Sequence, residues 1–526
     1  MVTATRRSIP LLLLLLLFSP WFFSSPNATG EEAFDVRHHL STVTRYDTAR
    51  NVANDNGGAF VVSTVPDGCH VVHLNLVARH GTRSPTKKRI GELDQLEIRL
   101  HNLLKEVKGM SEQNMLYVQK FPPWLWGWQS PWKGRQKGGE LLSQGEDELY
   151  HLGIRIREKF PELFDEEYHP DVFSIRATQV PRASASAVAF GMGLFAGKGS
   201  LGPGRHRSFA VISESRASDI CLRFFDTCET YEEFRKSQEP AVDKLKEPIL
   251  DEITSALTSR YQLNFTRHDI ASLWFLCKQE ASLLDTSTQA CALFNSYEVS
   301  LLEWTDDLEG FILKGYGQAV NYRMGIPLLQ DVFQSMEEAI VAKEENKKTY
   351  EKARLRFAHA ETVVPFTCLL GLFLDGSEFE QIQHEKPLDL PPKPPKKRNW
   401  RGNVVAPFAG NNMLVLYGCS RNNTNGSSLF GKRTSNYFVQ VLHNEVPVKM
   451  PGCDSRDFCP FEDFKEKVVN PHLKHGFESV CKVNLEYAAS KLQSKSWLLS
   501  RKLSRFFHWL FFLEDSKVHT HNHEEL

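Results

Sequence analysis

Two apolar runs that each end in a histidine constrain this chain of 526 residues more than any other feature. The first, Val71-Val72-His73-Leu74-Asn75-Leu76-Val77-Ala78, is rich in β-branched residues and predicts a buried strand. It runs straight into Arg79-His80-Gly81-Thr82-Arg83-Ser84-Pro85-Thr86. The second, Leu355-Arg356-Phe357-Ala358, predicts a short strand ending in His359-Ala360-Glu361-Thr362, followed by an apolar helix from Val363 to Leu374. A strand that ends in a turn delivers its last side chains to the carboxyl edge of a sheet, where open α/β folds place their ligands. Both histidines are expected at such an edge.

The residue types around them suit one chemistry. A neutral imidazole is a good nucleophile toward phosphorus, but a phosphomonoester dianion repels attack until cations neutralise its oxygens. Arg79 and Arg83 supply paired donors, Gly81 lets the backbone approach an anion, and the flanking arginines oppose protonation of His80. Ester cleavage also needs an acid to protonate the departing alkoxide and a base to activate water afterwards, and Glu361 suits both steps. His359 would donate to the phosphate oxygens.

Two further candidate arginines lie between these motifs. Phe173-Ser174-Ile175-Arg176-Ala177-Thr178 predicts a strand, and Pro181-Arg182-Ala183-Ser184 opens a helix of small residues. Arg182 falls at that helix's N-terminus, where backbone donors and the dipole favour phosphate; Arg176 is the competing candidate. Lys87, Lys88 and Arg89 follow Thr86 directly. Such a run is ordinarily a solvated face, yet its position predicts that these four residues line the approach to the pocket.

The octapeptide at Arg79 resembles the signature of the histidine acid phosphatase family, in which the histidine becomes a transient phosphohistidine. Most of that family follows the second histidine directly with Asp; here Ala360 intervenes and the acid is Glu361. His-Ala-Glu in this combination resembles the inositol polyphosphate-cleaving branch, over roughly Phe34 to Cys481. The resemblance implies a phosphoglycerate-mutase-like α/β core, with core segments at about 61–110 and 345–485 and a large helical insert within about 111–344. It further implies no metal, no cofactor, and inositol phosphates including phytate as substrates. It assigns His80 and Glu361 as catalytic and Arg79, Arg83, Arg182 and His359 as phosphate-binding. The alternatives are a broad-specificity acid phosphatase, whose Lys87–Arg89 cluster faces solvent, and an inactive binder, which would have no use for Glu361.

Charge gives no support for nucleic acid binding: Lys+Arg 63 against Asp+Glu 64 leaves a net charge of -1. Arg6-Arg7, a leucine-rich run and then small residues predict a signal peptide over residues 1–25, ahead of a phosphatase unit spanning 31–526, with no membrane span in the mature chain. The secretory route makes the ten cysteines candidate disulfides. Cys453 with Cys459, Cys221 with Cys228 and Cys277 with Cys291 could close local loops, while Cys69 and Cys368, in apolar runs, could be free buried thiols. Asn264, Asn422 and Asn425 head glycosylation acceptor tripeptides. An apolar face along Trp497 to Leu513 predicts a helix that docks on the core, or else on a membrane surface. The terminus His523-Glu524-Glu525-Leu526 resembles a retrieval signal read by an endoplasmic reticulum receptor.

Overall fold

The computed structural model describes residues 34–55, 65–108, 121–388, 390–395, 398–419, 436–454 and 456–481. The signal peptide, Asn422, Asn425, the apolar face from Trp497 and the C-terminal tetrapeptide lie outside them. The described residues from Val36 to Cys481 form one compact unit.

The first histidine-bearing run becomes β1 (Cys69–Arg79), buried on both faces from Val72 onward. A continuous apolar run suits a central strand whose two faces are both covered by helices. β1 pairs in parallel with β3 (Ala353–Ala358), which pairs in parallel with β2 (Phe173–Ala177). On its other side β1 pairs antiparallel with β4 (Asn411–Cys419), followed by β5 (Tyr437–His443), which carries the short β6 (Val446–Pro447) and β7 (Phe458–Pro460). The strand order is β2-β3-β1-β4-β5-β6, with β7 on β5.

Register decides where the chemistry falls. Arg79 lies opposite Ala358 and Ala177 opposite Phe357, so three parallel strands end at one edge. There the next residues are His80 and His359, with Thr178 beside them. The first residue of β4, Asn411, pairs with Ala78 and brings the Phe408–Gly410 turn to the same edge.

Of the principal helices, α1 (Tyr46–Asp55) precedes the sheet and α2 (Lys87–Lys108) follows the first motif. α3 (Ser143–Lys159) and α4 (Pro181–Leu194) cover one face, packing Leu149, Leu152 and Phe190 on Leu74, Ile175 and Leu355. α8 (Ile326–Glu344) and α9 (Ala360–Leu369) cover the other, packing Val332 and Val363 with Val77 and Leu414. A separate apolar core joins α5 (Glu229–Tyr261), α6 (Arg267–Leu283) and α7 (Ser296–Lys314) to the α2 stripe of Leu93, Leu96, Leu100, Leu103 and Leu104. Between 121 and 344 the described residues thus include β2, α4 and α8, which belong to the sheet's layers, beside the helices of this separate core.

The disulfides correct two expectations. Cys453–Cys459 and Cys277–Cys291 form. Cys69 is not a free thiol: it is register partner to Cys419 across β1 and β4 and is bonded to it. Cys228 pairs with Cys481 and not with Cys221, because the chain end of the described core returns to the start of α5. Cys221 and Cys368 are free. Asn264 is exposed, just before the Thr266 cap of α6.

Candidate active site

Backbone hydrogen bonds carry the ladder past the strand ends. His80 N donates to Ala358 O at 3.0 Å and Ala409 N to His80 O at 3.0 Å, fixing the first histidine between two strands. The loop behind it is held by Glu148 of α3. This buried carboxylate accepts from Thr82 N and Thr82 Oγ1, both at 2.8 Å, and from Tyr46 N at 3.1 Å. Gly81 and Gly145 meet backbone to backbone: a Cβ on Gly81 would stand 2.3 Å from Gly145 O.

The His80 ring is 3% exposed and its Nδ1 lies 2.9 Å from Gly81 O. A carbonyl can only accept, so Nδ1 carries the proton and Nε2 keeps its lone pair. Burial, then Arg79, Arg182, His359 and Arg83, hold the imidazole well below its usual 6.5. The shift favours the neutral ring, the form that a nucleophile at this position would need.

Three expected arginines converge on it. Arg79 stacks 4.5 Å over Phe408 and donates to Ala406 O at 2.8 Å and to Thr42 O. Burial and Arg83 push its guanidinium down to about 9, still cationic at neutral pH. Arg83 donates to Ser84 O at 2.8 Å, and burial lowers it as well. Arg182, in the first turn of α4, is pushed to about 10 by burial and Arg83. Each of these arginines leaves a buried Nε without a hydrogen-bond partner, a cost that an incoming anion would relieve.

His359 stands with its ring centroid 5.5 Å from that of His80. Its Nε2 lies 2.9 Å from Thr178 Oγ1 and 3.1 Å from Arg223 Nη1. A guanidinium only donates, and one faces each ring nitrogen, Arg223 Nη1 at Nε2 and Arg182 Nη2 3.5 Å from Nδ1, so the shorter contact makes Nε2 the better-placed acceptor. Burial and Arg182 push this imidazole to about 3, which keeps it neutral.

Glu361 opens α9 with its side chain 32% exposed, and Lys314 at the end of α7 donates to its Oε1 at 2.7 Å. Burial alone would raise this carboxyl, but the Lys314 ammonium outweighs burial and holds it well below 4.5. Arg176 is turned away to Asp331 at 3.5 Å, so Arg182 is the arginine brought to His359. Thr86 is half-buried; Lys87, Lys88 and Arg89 form the exposed first turn of α2. Arg89 is engaged by Glu92 at 2.6 Å and lies 4.9 Å over the Phe275 ring.

Sequence reasoning missed Arg223, Lys314, Glu148 and Phe408. Only Lys314 left a signal, the Gly315-Tyr316-Gly317 that follows it; the others depend on tertiary approach.

The arrangement is an unprotonated imidazole ringed by cations, with a carboxylate beside it. The sequence profile of the histidine phosphatase superfamily (branch 2) matches residues 70–444. The chain is 26% identical to the multiple inositol polyphosphate phosphatase 1 of Gallus gallus, over 85% of this chain and 92% of that one. Among solved structures, the phytase from D. castellii superposes with a TM-score of 0.61 at 18% identity, covering 88% of this chain and 91% of the other. The Bifidobacterium longum multiple inositol polyphosphate phosphatase, in complex with inositol hexasulfate, superposes with a TM-score of 0.58 at 18% identity, covering 83% and 98%.

Proposed function

Because the chain belongs to branch 2 of the histidine phosphatase superfamily, we propose that it hydrolyses inositol polyphosphates, phytate and lower inositol phosphates, through a phosphohistidine at His80. In the first step His80 Nε2 attacks phosphorus, the bond to the ester oxygen breaks, and Glu361 protonates the departing oxygen. In the second, Glu361 takes a proton from water, which attacks phosphorus; the P–N bond breaks and phosphate leaves. Arg79, Arg83, Arg182 and His359 hold the non-bridging oxygens throughout.

The observation that carries this reading is the His80 ring itself, locked through Nδ1 to Gly81 O with Nε2 unprotonated among arginines. Lys87, Lys88 and Arg89 sit in a helix's first turn, where the dipole disfavours cations unless an anion is bound nearby. With Thr86 they are proposed to meet the neighbouring phosphates. The engagement of Arg89 with Glu92 and Phe275 favours the alternative, a broad acid phosphatase whose cluster faces solvent.

The decisive experiment has two parts. Acid quench with labelled substrate is expected to trap phosphoenzyme in the wild type and none in His80→Ala; label trapped in His80→Ala overturns the nucleophile. The ratio of kcat/KM for inositol hexakisphosphate to that for a small monoester is expected to exceed ten and to fall when Lys87, Lys88 and Arg89 become Ala. Each retained contact of ~1.4 kcal/mol gives about tenfold selectivity. A ratio near one in the wild type selects the broad acid phosphatase.

The same reading places the chain in the secretory pathway, with residues 1–25 as a signal ahead of a phosphatase unit over 31–526. Four disulfides suit an oxidising compartment. Among the described residues no helix is long and apolar enough to cross a membrane. Retrieval to the endoplasmic reticulum lumen through His523–Leu526 is part of the proposal, read by comparing secretion of the intact chain with one lacking those four residues.

A further inference from the structure

The acid that the first step needs is paired in the free enzyme with a cation. Lys314 Nζ lies 2.7 Å from Glu361 Oε1, and the two side chains are 29% and 32% exposed, so solvent reaches the pair. A carboxylate held this way is ready to activate water but not to protonate a leaving oxygen. The first chemical step therefore requires that the pair be loosened.

The other charged groups near Glu361 are already matched or are matched by the scissile phosphate. Arg79 and Arg83 from the loop after β1 and Arg182 from α4 would all meet that phosphate. From α5, Arg235 is paired with Glu239 at 2.8 Å, and Tyr231 donates to Leu313 O at 2.9 Å. His359 is neutral. Glu309, the other carboxylate near Lys314, is bound by Lys246. Lys314 is left as the cation whose direct partner is Glu361 itself.

Its base is rigid and its stem is not. Lys314 ends α7, and the next residues are pinned: Trp400 packs on Gly315, Tyr316 Oη donates to Leu372 O at 2.8 Å, and Asn321 Nδ2 donates to Gly315 O at 3.0 Å. A flexible four-carbon stem on that anchor lets the ammonium swing between nearby partners.

We propose that Lys314 is a positioning residue that reads a second phosphate: it holds Glu361 as a carboxylate in the free enzyme, and a neighbouring phosphate of a polyphosphorylated substrate draws it off, leaving Glu361 to take up the proton that the leaving oxygen needs. This rests on the reading of the site as an inositol polyphosphate phosphatase. It makes substrate preference partly a matter of acid strength and not of affinity alone. A small monoester has no second phosphate, so Lys314 stays on Glu361 and the acid form appears only at lower pH.

The test is the rate of the first step at saturating substrate, by rapid quench across pH, with glycerol phosphate and inositol hexakisphosphate. In the wild type, the pH above which the rate falls is expected to lie about one unit higher for the hexakisphosphate, a tenfold difference in rate above both limbs. Lys314→Met, with Lys314→Gln as a second uncharged variant checked for fold by circular dichroism, is expected to raise the glycerol phosphate limb by about one unit. The hexakisphosphate limb is expected to stay within a few tenths, and Lys314→Arg to retain the wild-type gap. A glycerol phosphate limb unmoved in both uncharged variants, or two limbs that rise together, overturns the proposal while leaving the proposed function standing. A wild type that turns over glycerol phosphate but not the hexakisphosphate overturns the substrate reading itself.

Discussion

Glu361 shows how much one side chain's role depends on its partner. With Lys314 at 2.7 Å it is a carboxylate, yet the proposed mechanism has it donate a proton first and accept one second. Gln at this position keeps the size and loses both roles. Glu361→Gln is expected to lower kcat/KM for an alkyl ester such as glycerol phosphate by 10²–10⁴-fold, the usual range for lost proton transfer, and by far less for an activated aryl ester. Reading kcat/KM isolates the first step, since the water step comes after it. Equal losses for the two esters remove Glu361 as the acid.

Among elements, the contact between α3 and the loop after β1 positions His80. Gly145 lies in the first turn of α3, where a Cβ would stand 2.3 Å from Thr82 O and 2.6 Å from Thr82 N. Backbone cannot yield as a flexible side chain would, so Gly145→Ala must push the loop and α3 apart and strain the Glu148 bonds to Thr82. Overpacking of this kind costs about 1–3 kcal/mol. The variant is expected to melt at lower temperature and to lose activity beyond what the lost stability explains, because a shift of about 1 Å at His80 can cost about 10²-fold. A melting curve and kcat/KM measured together check this; unchanged activity would show that the loop tolerates the shift. The same economy of space recurs where α3 meets α4, with a Cβ on Gly193 falling 2.0 Å from Tyr150 O.

Over the whole molecule, two disulfides join regions far apart in the chain. Cys69–Cys419 spans 350 residues and ties the edge of β1 opposite the site to β4; Cys228–Cys481 spans 253 and ties the end of the described core to α5. Long loops closed by a crosslink restrict the unfolded chain most, and losing a native disulfide typically costs about 2–5 kcal/mol, by a mechanism that depends on the unfolded-state model. Replacing Cys69 and Cys419 together by Ser is expected to lower the denaturation midpoint measurably while leaving kcat/KM near wild type, since the crosslink lies at the amino end of β1 and the site at its carboxyl end. Lost activity with an intact fold would argue that β1–β4 register at the site depends on it.

The α/β class and the two strand-end motifs were legible in the sequence because strands and helices impose local periods on apolar residues, and because Arg79–Thr86 and His359–Glu361 are contiguous. Helix α2's leucine stripe and the α4 start at Pro181 were legible for the same reason. The resemblance favoured Arg182 over Arg176, but the local pattern did not decide between them; Asp331, which lies far along the chain, turns Arg176 away. Arg223 on His359, Lys314 on Glu361 and the Cys69–Cys419 pairing were not legible, each joining elements whose separation along the chain carries no period. A sequence records which chemical groups are available and how each segment folds locally; which groups face one another, and so which carboxylate is charged and which imidazole nitrogen is free, depends on the register of β1, β3 and β4 and on where α7 ends.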